Sequence, residues 1–186
     1  MPRIKGDDHQ RAAARSQLRA DILTAARELA EQAGGYEPVT MRQVAERVGY
    51  TAPVVYEYFA SKRELLVGVL TEGFERLASQ LAEAGPTKRA AAGALWDFAN
   101  AHPRLYLLMH NLVDIPFGTP ETPEPARRCF DLLREAVAAA SPAHADLDDA
   151  TDLFWAQTHG LIVLSLAGRI KGGRDRARAL LDEVGR

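Results

Sequence analysis

Apolar residues recur at spacings of three and four through almost the whole 186-residue chain, and this periodicity limits the fold more than any other feature. Such a spacing places apolar side chains on one face of an α-helix, whereas a half-buried strand needs alternation at every second position. Alternating stretches are scarce here. The sequence therefore predicts an all-α protein of about nine helices.

The N-terminal third carries the signals of a helix-turn-helix unit. Thr40 and Gln43 form a T-x-x-Q capping box that starts a short helix, and Gly49 supplies the left-handed residue that ends it. A second short helix is predicted over residues 51–59, only about two residues later. Two short helices joined by a tight glycine turn and braced by a third form a unit whose second helix can enter a major groove about 12 Å wide.

The remaining helices divide the chain into an arm and two domains. A first helix is predicted from about Gln17 to Gln32, and a capping box at Ser61 and Glu64 opens a long one. Further helices are expected at residues 88–101, 103–114, 124–140, 148–167 and 174–184. These elements predict a flexible basic arm over 1–16, a helix-turn-helix domain over 17–66 and a helical domain over 67–186, with the division inside the long helix near residues 68–73.

The charge distribution suits an anionic partner for the N-terminal region. Residues 1–63 contain ten Lys or Arg against eight Asp or Glu, while the remainder contains 13 against 17. The net charge of the whole chain is −2, so a bulk basic balance is not the argument for nucleic acid. The arm could reach along DNA through its arginines, or it could simply be disordered.

Several classes of protein are disfavoured by composition. The single Cys129 excludes an intramolecular disulfide framework, and the polar N-terminus lacks an apolar signal core. The longest apolar run is far shorter than the ~20 residues of a membrane span, so a cytoplasmic protein without membrane contact is expected. The histidines lack zinc-ligand spacing, and no activated nucleophile stands out. We therefore expect no catalytic activity, metal or cofactor.

The stretch from Arg19 to Leu66 resembles the DNA-binding domain of the TetR family along its whole length. A lone helix-turn-helix pattern is weak, but an ordered set across nearly fifty residues is specific. The matching residues are Ile22-Leu23, Ala25-Ala26, Leu29, Gly34-Gly35, Thr40-Met41, Val44-Ala45, Val48-Gly49, Val55-Tyr56, Tyr58-Phe59, Ser61-Lys62 and Leu65-Leu66.

This resemblance implies DNA contacts from the residues at the matching positions. Phosphate contacts are implied for Thr40, Tyr56 and Lys62; base reading for Thr51, Ala52 and Pro53; and positions at the groove edges for Tyr50 and Tyr58. Three of these residues have a plainer interpretation: Tyr56 as a packing residue, Tyr50 as half core, and Lys62 as a solvated lysine.

The recognition helix lacks Arg, Lys, Asn and Gln, which excludes bidentate reading of guanine or adenine from it. Specificity is instead expected from thymine-methyl contacts of Ala52 and Pro53, from Arg42 on the preceding helix, and from DNA shape. Glu57 would face an anionic duplex, so it is expected to discourage wrong contacts or to accept a hydrogen bond from cytosine.

The C-terminal region predicts a homodimer interface. Residues 153–170 are apolar almost all round, which in a small domain favours burial against a second subunit. The helices at 148–167 and 174–184 would meet their symmetry mates as a four-helix bundle. The element Trp155-x-x-x-His159-Gly160 resembles the WHG subgroup of TetR C-terminal domains, which implies dimerisation and leaves any ligand unidentified.

A pocket inside this domain is predicted to bind a small molecule. Its expected lining is Trp96, His102, Tyr106, Met109, His110, Phe130, Leu133, Trp155 and His159, although each of these could equally be packed core. The resemblance implies a repressor that a hydrophobic or aromatic effector releases from a pseudopalindromic operator. The alternatives are a ligand-independent repressor and a small-molecule binding protein without specific DNA binding.

Overall fold

The computed structural model describes residues 8–111, 115–140 and 146–186, and the regular elements in these ranges are all helices. The helices are α1 (Asp8–Ala33), α2 (Met41–Arg47), α3 (Ala52–Tyr56), α4 (Lys62–Ala84), α5 (Lys88–Ala101), α6 (Pro103–Asn111), α7 (Glu124–Ala140), α8 (Leu147–Leu166) and α9 (Gly173–Val184). The prediction of an all-α fold is therefore confirmed. Residues 112–114, placed by the sequence in the sixth helix, lie outside the described residues.

The chain forms two compact units that meet within α4. Unit 1 ends at Val69 and unit 2 begins at Leu70. The predicted domain ranges change over at residue 66, slightly earlier in the same helix. No helix in the three described ranges is both long enough and apolar enough to cross a membrane.

Unit 1 has a small core to which every one of its helices contributes. Ile22 and Ala26 of α1, Val44 of α2 and Val55 of α3 are all fully inaccessible to solvent. Arg47 fastens α2 to α1, donating to Glu28 at 3.0 Å and to Gln32 at 2.9 Å. Because α2 and α3 have only seven and five residues, their stability depends on this packing rather than on helix propensity.

The capping signals predicted from the sequence are formed, one of them with a shifted partner. Gln43 N–H donates to the Thr40 hydroxyl oxygen, and the Gln43 side chain accepts from Thr40 N–H, which completes the first capping box. Ser61 accepts from Glu64 N–H at 3.1 Å, but the Glu64 carboxylate accepts from Ala60 N–H rather than from Ser61 N–H. The second box therefore reaches back one residue further than predicted.

The first helix begins at Asp8 rather than near Gln17, so residues 8–16, predicted to belong to the arm, are helical in the structure. Residues 1–7 lie outside the described residues. This extension could not be predicted from apolar periodicity, because its residues are almost all exposed and carry no apolar stripe. Three consecutive alanines at 12–14 favour helix, and adding turns to an anchored helix costs much less than starting one.

Unit 2 packs α5 to α9 and the C-terminal part of α4 around an apolar centre. Leu95, Phe98 and Tyr106 are completely buried there. The helix α8 buries one face, with Thr151, Thr158 and Ile162 all inaccessible to solvent. Its opposite face is exposed within the chain.

Gly68 marks the tightest packing in unit 1. A Cβ atom at this position of α4 would lie 2.9 Å from Cε1 of Phe59 and 3.0 Å from Cδ2 of Leu23. The ring of Phe59 is only 2% exposed, so it has little room to move away. The missing side chain therefore admits Phe59, the residue that closes the recognition segment onto the core.

We expect Gly68→Ala to lower the free energy of unfolding of the protein by about 1 kcal/mol, because the overpacking outweighs the gain in helix propensity. Gly93→Ala is the matched control. Its Cβ would lie 3.6 Å from the Arg178 guanidinium, an ordinary contact, so the same substitution there should stabilise by up to about 1 kcal/mol. Urea unfolding followed by circular dichroism measures both, and an unchanged or increased stability of Gly68→Ala would contradict the account.

Candidate nucleic-acid interface and ligand cavity

The recognition segment has one buried side and one exposed side. Val55 is completely buried and Phe59 is 2% exposed, whereas Thr51, Pro53 and Glu57 are exposed. Ala52 is half-buried. The α3 helix ends at Tyr56, earlier than predicted, but Phe59 N–H still donates to the Val55 carbonyl at 3.0 Å, so the turn holds Phe59 in place.

Three tyrosines surround this segment. Tyr50 and Tyr56 are each 49% exposed, which argues against a purely packing role for either. Tyr58 is half-buried, and the guanidinium of Arg15 lies 5.6 Å from its ring centroid. Large exposed aromatic side chains carrying a hydroxyl are suited to donating a hydrogen bond to a phosphate oxygen. We refer to Tyr50, Thr51, Pro53, Tyr56 and Lys62 as the recognition surface.

Thr40 and Arg42 lie at the start of α2. Thr40 is exposed, and its hydroxyl is engaged in the capping box with Gln43. The Arg42 side chain is 84% exposed and bonds Glu46 at 2.8 Å, a hydrogen bond that raises the pKa of the guanidinium. An exposed pair of this kind contributes little to stability, so Arg42 can readily exchange Glu46 for a nucleic-acid acceptor.

Lys62 is held in place by the protein itself. Its ammonium donates to the main-chain carbonyl of Glu37 at 2.6 Å, which ties the start of α4 to the loop between α1 and α2. The side chain is therefore neither freely solvated nor buried. One bond leaves two further N–H donors on the ammonium, enough for a phosphate contact without breaking the existing one.

The sequence analysis placed Arg15 in a basic arm that could reach along DNA or be disordered. The N-terminal extension of α1 places the guanidinium of Arg15 over the ring of Tyr58, next to the recognition surface. This guanidinium is a second cation, in addition to the ammonium of Lys62. A cation stacked on an aromatic ring has a restricted orientation, which lowers the entropy lost on binding an anion. The sequence offered only a basic composition as a sign of this role.

We expect Lys62→Met to weaken binding of duplex DNA and to reduce the slope of log K against log salt concentration by about 1, because one phosphate contact is lost. Lys88→Met is the matched control, since Lys88 is also half-buried at the start of a helix but belongs to unit 2. Fluorescence anisotropy titrations at several salt concentrations measure the slope. Equal slopes for the two variants would exclude Lys62 from the interface.

Unit 2 contains an apolar cavity of about 180 Å³. Its walls come from α4 to α8 and from residues 115–117. The lining residues are Phe74, Leu77 and Leu81 of α4, Leu95 of α5, Met109 and His110 of α6, Ile115, Pro116 and Phe117, Ala126, Cys129, Phe130 and Leu133 of α7, and Trp155 of α8.

Five of the nine residues predicted to bind a ligand lie at this cavity, namely Met109, His110, Phe130, Leu133 and Trp155. Tyr106 and His159 stand behind them, joined by a hydrogen bond of 2.9 Å between the phenol oxygen and Nδ1. The residues that the prediction missed come mainly from α4 and from 115–117. Residues 115–117 lie between two predicted helices, where no apolar periodicity indicated a wall.

Trp96 and His102 do not line this cavity, so their part in ligand binding stays a prediction. Trp96 is 5% exposed and has the guanidinium of Arg174 at 5.8 Å from its ring. His102 caps the C-terminal end of α5 and packs edge-on against Phe98. The helical phase of α5 turns both residues away, which composition and spacing along a single helix do not reveal.

Aromatic rings surround His110. Its ring centroid lies 4.7 Å from that of Tyr106, 4.9 Å from that of Trp155 and 5.0 Å from that of His159. Burial, assisted by the neighbouring His159, lowers the pKa of His110 to about 3. Burial also lowers the pKa of His159 and raises that of the Tyr106 phenol. The cluster is therefore uncharged at neutral pH.

Cys129 contributes an unreactive thiol to the wall. It donates to the main-chain carbonyl of Phe74 at 3.4 Å, and burial raises its pKa to about 12. The thiolate needed for nucleophilic attack is therefore absent at neutral pH. Within the residues that the structure describes, no three His, Cys, Asp or Glu side chains are grouped to hold a metal ion.

The low pKa of His110 makes the stability of unit 2 depend on pH. An unfolded chain protonates histidine near pH 6.5, whereas folded His110 resists protonation down to about pH 3. Stability is therefore complete above pH 6.5 and falls as the pH decreases from there toward 3, by up to about 1.4 kcal/mol per pH unit for this residue.

We expect His110→Phe to remove this share of the pH dependence, while His102→Phe retains it. Urea unfolding at pH 7.5, 6.0 and 5.0 supplies the free energies. The burial account of His110 would be refuted by identical pH slopes in the wild type and in His110→Phe.

Comparisons with known proteins agree with the two-unit organisation. A family model described as "Bacterial regulatory proteins, tetR family" matches residues 22–69, and one described as "Tetracyclin repressor-like, C-terminal domain" matches residues 88–184. The second match alone covers more than half of the chain. Together the two models include the recognition surface and most of the cavity lining.

Individual relatives include both a repressor and an activator of transcription. The transcriptional repressor KstR of Mycolicibacterium smegmatis is 34% identical over 131 residues, 70% of this chain and 58% of that protein. The transcriptional activator FasR of the same organism is 29% identical over 140 residues, 70% of this chain and 64% of that protein. The chain spans between about a third and two thirds of the length of its curated relatives.

A solved structure extends the similarity to the fold. A protein of unknown function from Rhodococcus sp. RHA1 is 26% identical, with a TM-score of 0.72 over 90% of this chain and 92% of that chain. The likeness covers both units in one alignment.

Proposed function

The chain belongs to the TetR family of bacterial regulatory proteins, and from that membership we propose that it binds an operator as a homodimer and is released by a small hydrophobic effector. The observation that carries the proposal is the pairing, in one chain, of an exposed recognition surface in unit 1 with an apolar cavity in unit 2. The first would contact DNA and the second would hold the effector.

The chemistry of the recognition surface supports base reading by shape and by methyl contacts. Thr51 and Pro53 are exposed, and Ala52 is half-buried beside them. Small apolar groups contact the methyl of thymine, while Tyr56, Lys62 and Thr40 would fix the register by binding phosphates. Arg42 of α2 is exposed, and its guanidinium could make a bidentate contact with guanine.

The exposed face of α8 supports dimerisation. Leu153 is 61% and Leu164 46% exposed, and the helical phase places them with Gly160 on the side opposite the buried Thr158 and Ile162. Nothing lies within 4 Å of a Cβ built on Gly160, so a second helix can approach closely there. Leu180 of α9 adds a further exposed apolar side chain. A second copy of the chain is the partner that we propose for this face.

Coupling between the two activities would run through α4. This helix carries Lys62 at its start and Phe74 and Leu77 in the cavity wall. A ligand that displaced α4 would alter the spacing of two recognition segments that must fit half-sites about 34–36 Å apart. The expected loss of DNA affinity is the coupling free energy, typically about 1–3 kcal/mol.

The direction of regulation rests on resemblance alone. KstR is a repressor and FasR an activator, and each name describes only that protein. We favour repression because it needs nothing beyond occupation of the operator. A ligand-independent repressor would have the same recognition surface, and a binding protein without specific DNA recognition would have the same cavity.

The decisive experiment is selection of binding sites from random duplex DNA by the purified protein at a stated salt concentration. A pseudopalindrome with half-sites about one turn apart is the expected result. If no sequence were enriched and the weak binding vanished as the salt concentration rose, specific regulation would be excluded. The binding-protein alternative would then be favoured.

We expect Leu164→Glu to convert a dimer into a monomer of 20.3 kDa, because a carboxylate on the α8 face cannot be desolvated at low cost. Ala139→Glu adds the same charge to an exposed position of α7 and serves as the control. Light scattering after size exclusion gives both masses. A Leu164→Glu protein that remained dimeric would exclude this face as the interface.

A further inference from the structure

We propose that the cavity of unit 2 accepts an uncharged one-ring molecule carrying a hydroxyl group, and that this hydroxyl bonds to Nε2 of His110. The inference rests on the proposed effector-binding role of this domain and gives the effector a chemical class.

The starting observation is an unsatisfied polar atom on a residue that lines the cavity. His110 lines the cavity, and its Nε2 is buried without a hydrogen-bond partner among the residues that the structure describes. Buried polar side-chain atoms nearly always have a partner, since leaving one unpaired costs about 1–3 kcal/mol. A ligand group at this atom would recover that loss, so the atom marks where a polar group of the ligand belongs.

Three neighbouring polar side chains already have partners, which favours His110 as the point of attachment. Tyr106 and His159 bond to each other at 2.9 Å, and the Cys129 thiol is engaged with the carbonyl of Phe74. Each of these side chains therefore already has one hydrogen-bond partner. Nε2 of His110 has none among the described residues.

The described part of the wall is unfavourable to a charged ligand. None of the described lining residues carries a formal charge, and apart from His110 and the protonated Cys129 thiol their side chains are hydrocarbon, thioether or aromatic. Moving a carboxylate or phosphate from water into such surroundings without a counterion is very costly. His110 does not supply the counterion, because burial keeps the imidazole neutral at physiological pH.

The volume has room for about one ring. The cavity measures about 180 Å³, and an apolar protein cavity of about 150 Å³ is known to hold benzene. A single ring with one or two further heavy atoms therefore fits. The aromatic side chains of Phe74, Phe130 and Trp155 offer edges and faces against which such a ring can pack.

A hydroxyl suits this atom better than a carbonyl or an amine. In neutral imidazole, Nε2 donates in one tautomer and accepts in the other. A hydroxyl group can both donate and accept, so it satisfies either tautomer without moving a proton. A phenol combines this group with the ring that the cavity admits.

The test compares three molecules of nearly equal shape: p-cresol, toluene and p-toluate. Binding to the purified protein is measured by isothermal titration calorimetry at pH 7.5. We expect p-cresol to bind about tenfold more tightly than toluene, the usual effect of satisfying one buried polar atom. No binding of p-toluate is expected, because its carboxylate would be buried without a partner.

Two variants locate the contact. His110→Phe keeps a ring but removes the nitrogen, so the variant should bind p-cresol and toluene with about equal affinity. Ala126→Leu fills the cavity from α7 and should abolish binding of both molecules. If His110→Phe failed to fold, the ¹⁵N chemical shift of His110 Nε2 would be measured in the wild-type protein instead. Addition of p-cresol should change this chemical shift, and addition of toluene should not.

Equal affinity for toluene and p-cresol, preferential binding of p-toluate, or no binding of any of the three would each overturn the inference. DNA binding is measured separately on the selected operator. If the ligand results contradicted the inference but the protein still bound the operator, the proposed role as a DNA-binding regulator would still hold. Binding of p-cresol through His110 without any change in operator affinity would uphold the inference and refute release by an effector.

Discussion

Burial of two side chains, Val55 and Phe59, is the constraint on which the recognition surface depends. A helix of five residues has no independent stability, because the cost of fixing its first turn exceeds what so few hydrogen bonds return. These two residues, spaced four apart, attach the segment to α1, α2 and α4 of unit 1, and Gly68 leaves the space that the ring of Phe59 fills. Every outward-facing residue from Tyr50 to Glu57 takes its direction from this attachment, so a core residue and a glycine determine which side chains are available to DNA.

Features carried by neighbouring residues in the chain were predictable, and those set by distant packing were not. The Thr40–Gln43 capping box, the glycine turn at Gly49 and the ends of most helices depend on local chemistry, so a single sequence suffices to find them. The start of α1 depends on propagation from a packed helix, which leaves no apolar pattern. Trp96 has the composition of a pocket residue, but the rotation of α5 against its neighbours turns it toward Arg174. That rotation is a property of the whole domain.

The two units use opposite kinds of chemistry. The recognition surface is exposed and hydroxyl-rich, and its cation Lys62 keeps a hydrogen bond to the main chain in the absence of DNA. The cavity wall is apolar, its histidine is neutral and its thiol is protonated. Salt therefore acts strongly on contacts of the first kind and hardly at all on those of the second. If the cavity binds a neutral effector as proposed, its affinity for that effector should change little when the ionic strength of the cell changes.

The absence of guanidinium, ammonium and amide groups from α3 has a consequence for how its operator would respond to DNA modification. A surface that distinguishes bases through Ala52 and Pro53 recognises the methyl group that thymine projects into the major groove. The C5 position of cytosine occupies the corresponding place in its own base pair, so methylation there presents a similar apolar group. Epigenetic methylation of an operator cytosine would then be read as a partial substitute for thymine, and the set of occupied sites would depend on the methylation state of the genome as well as on its sequence.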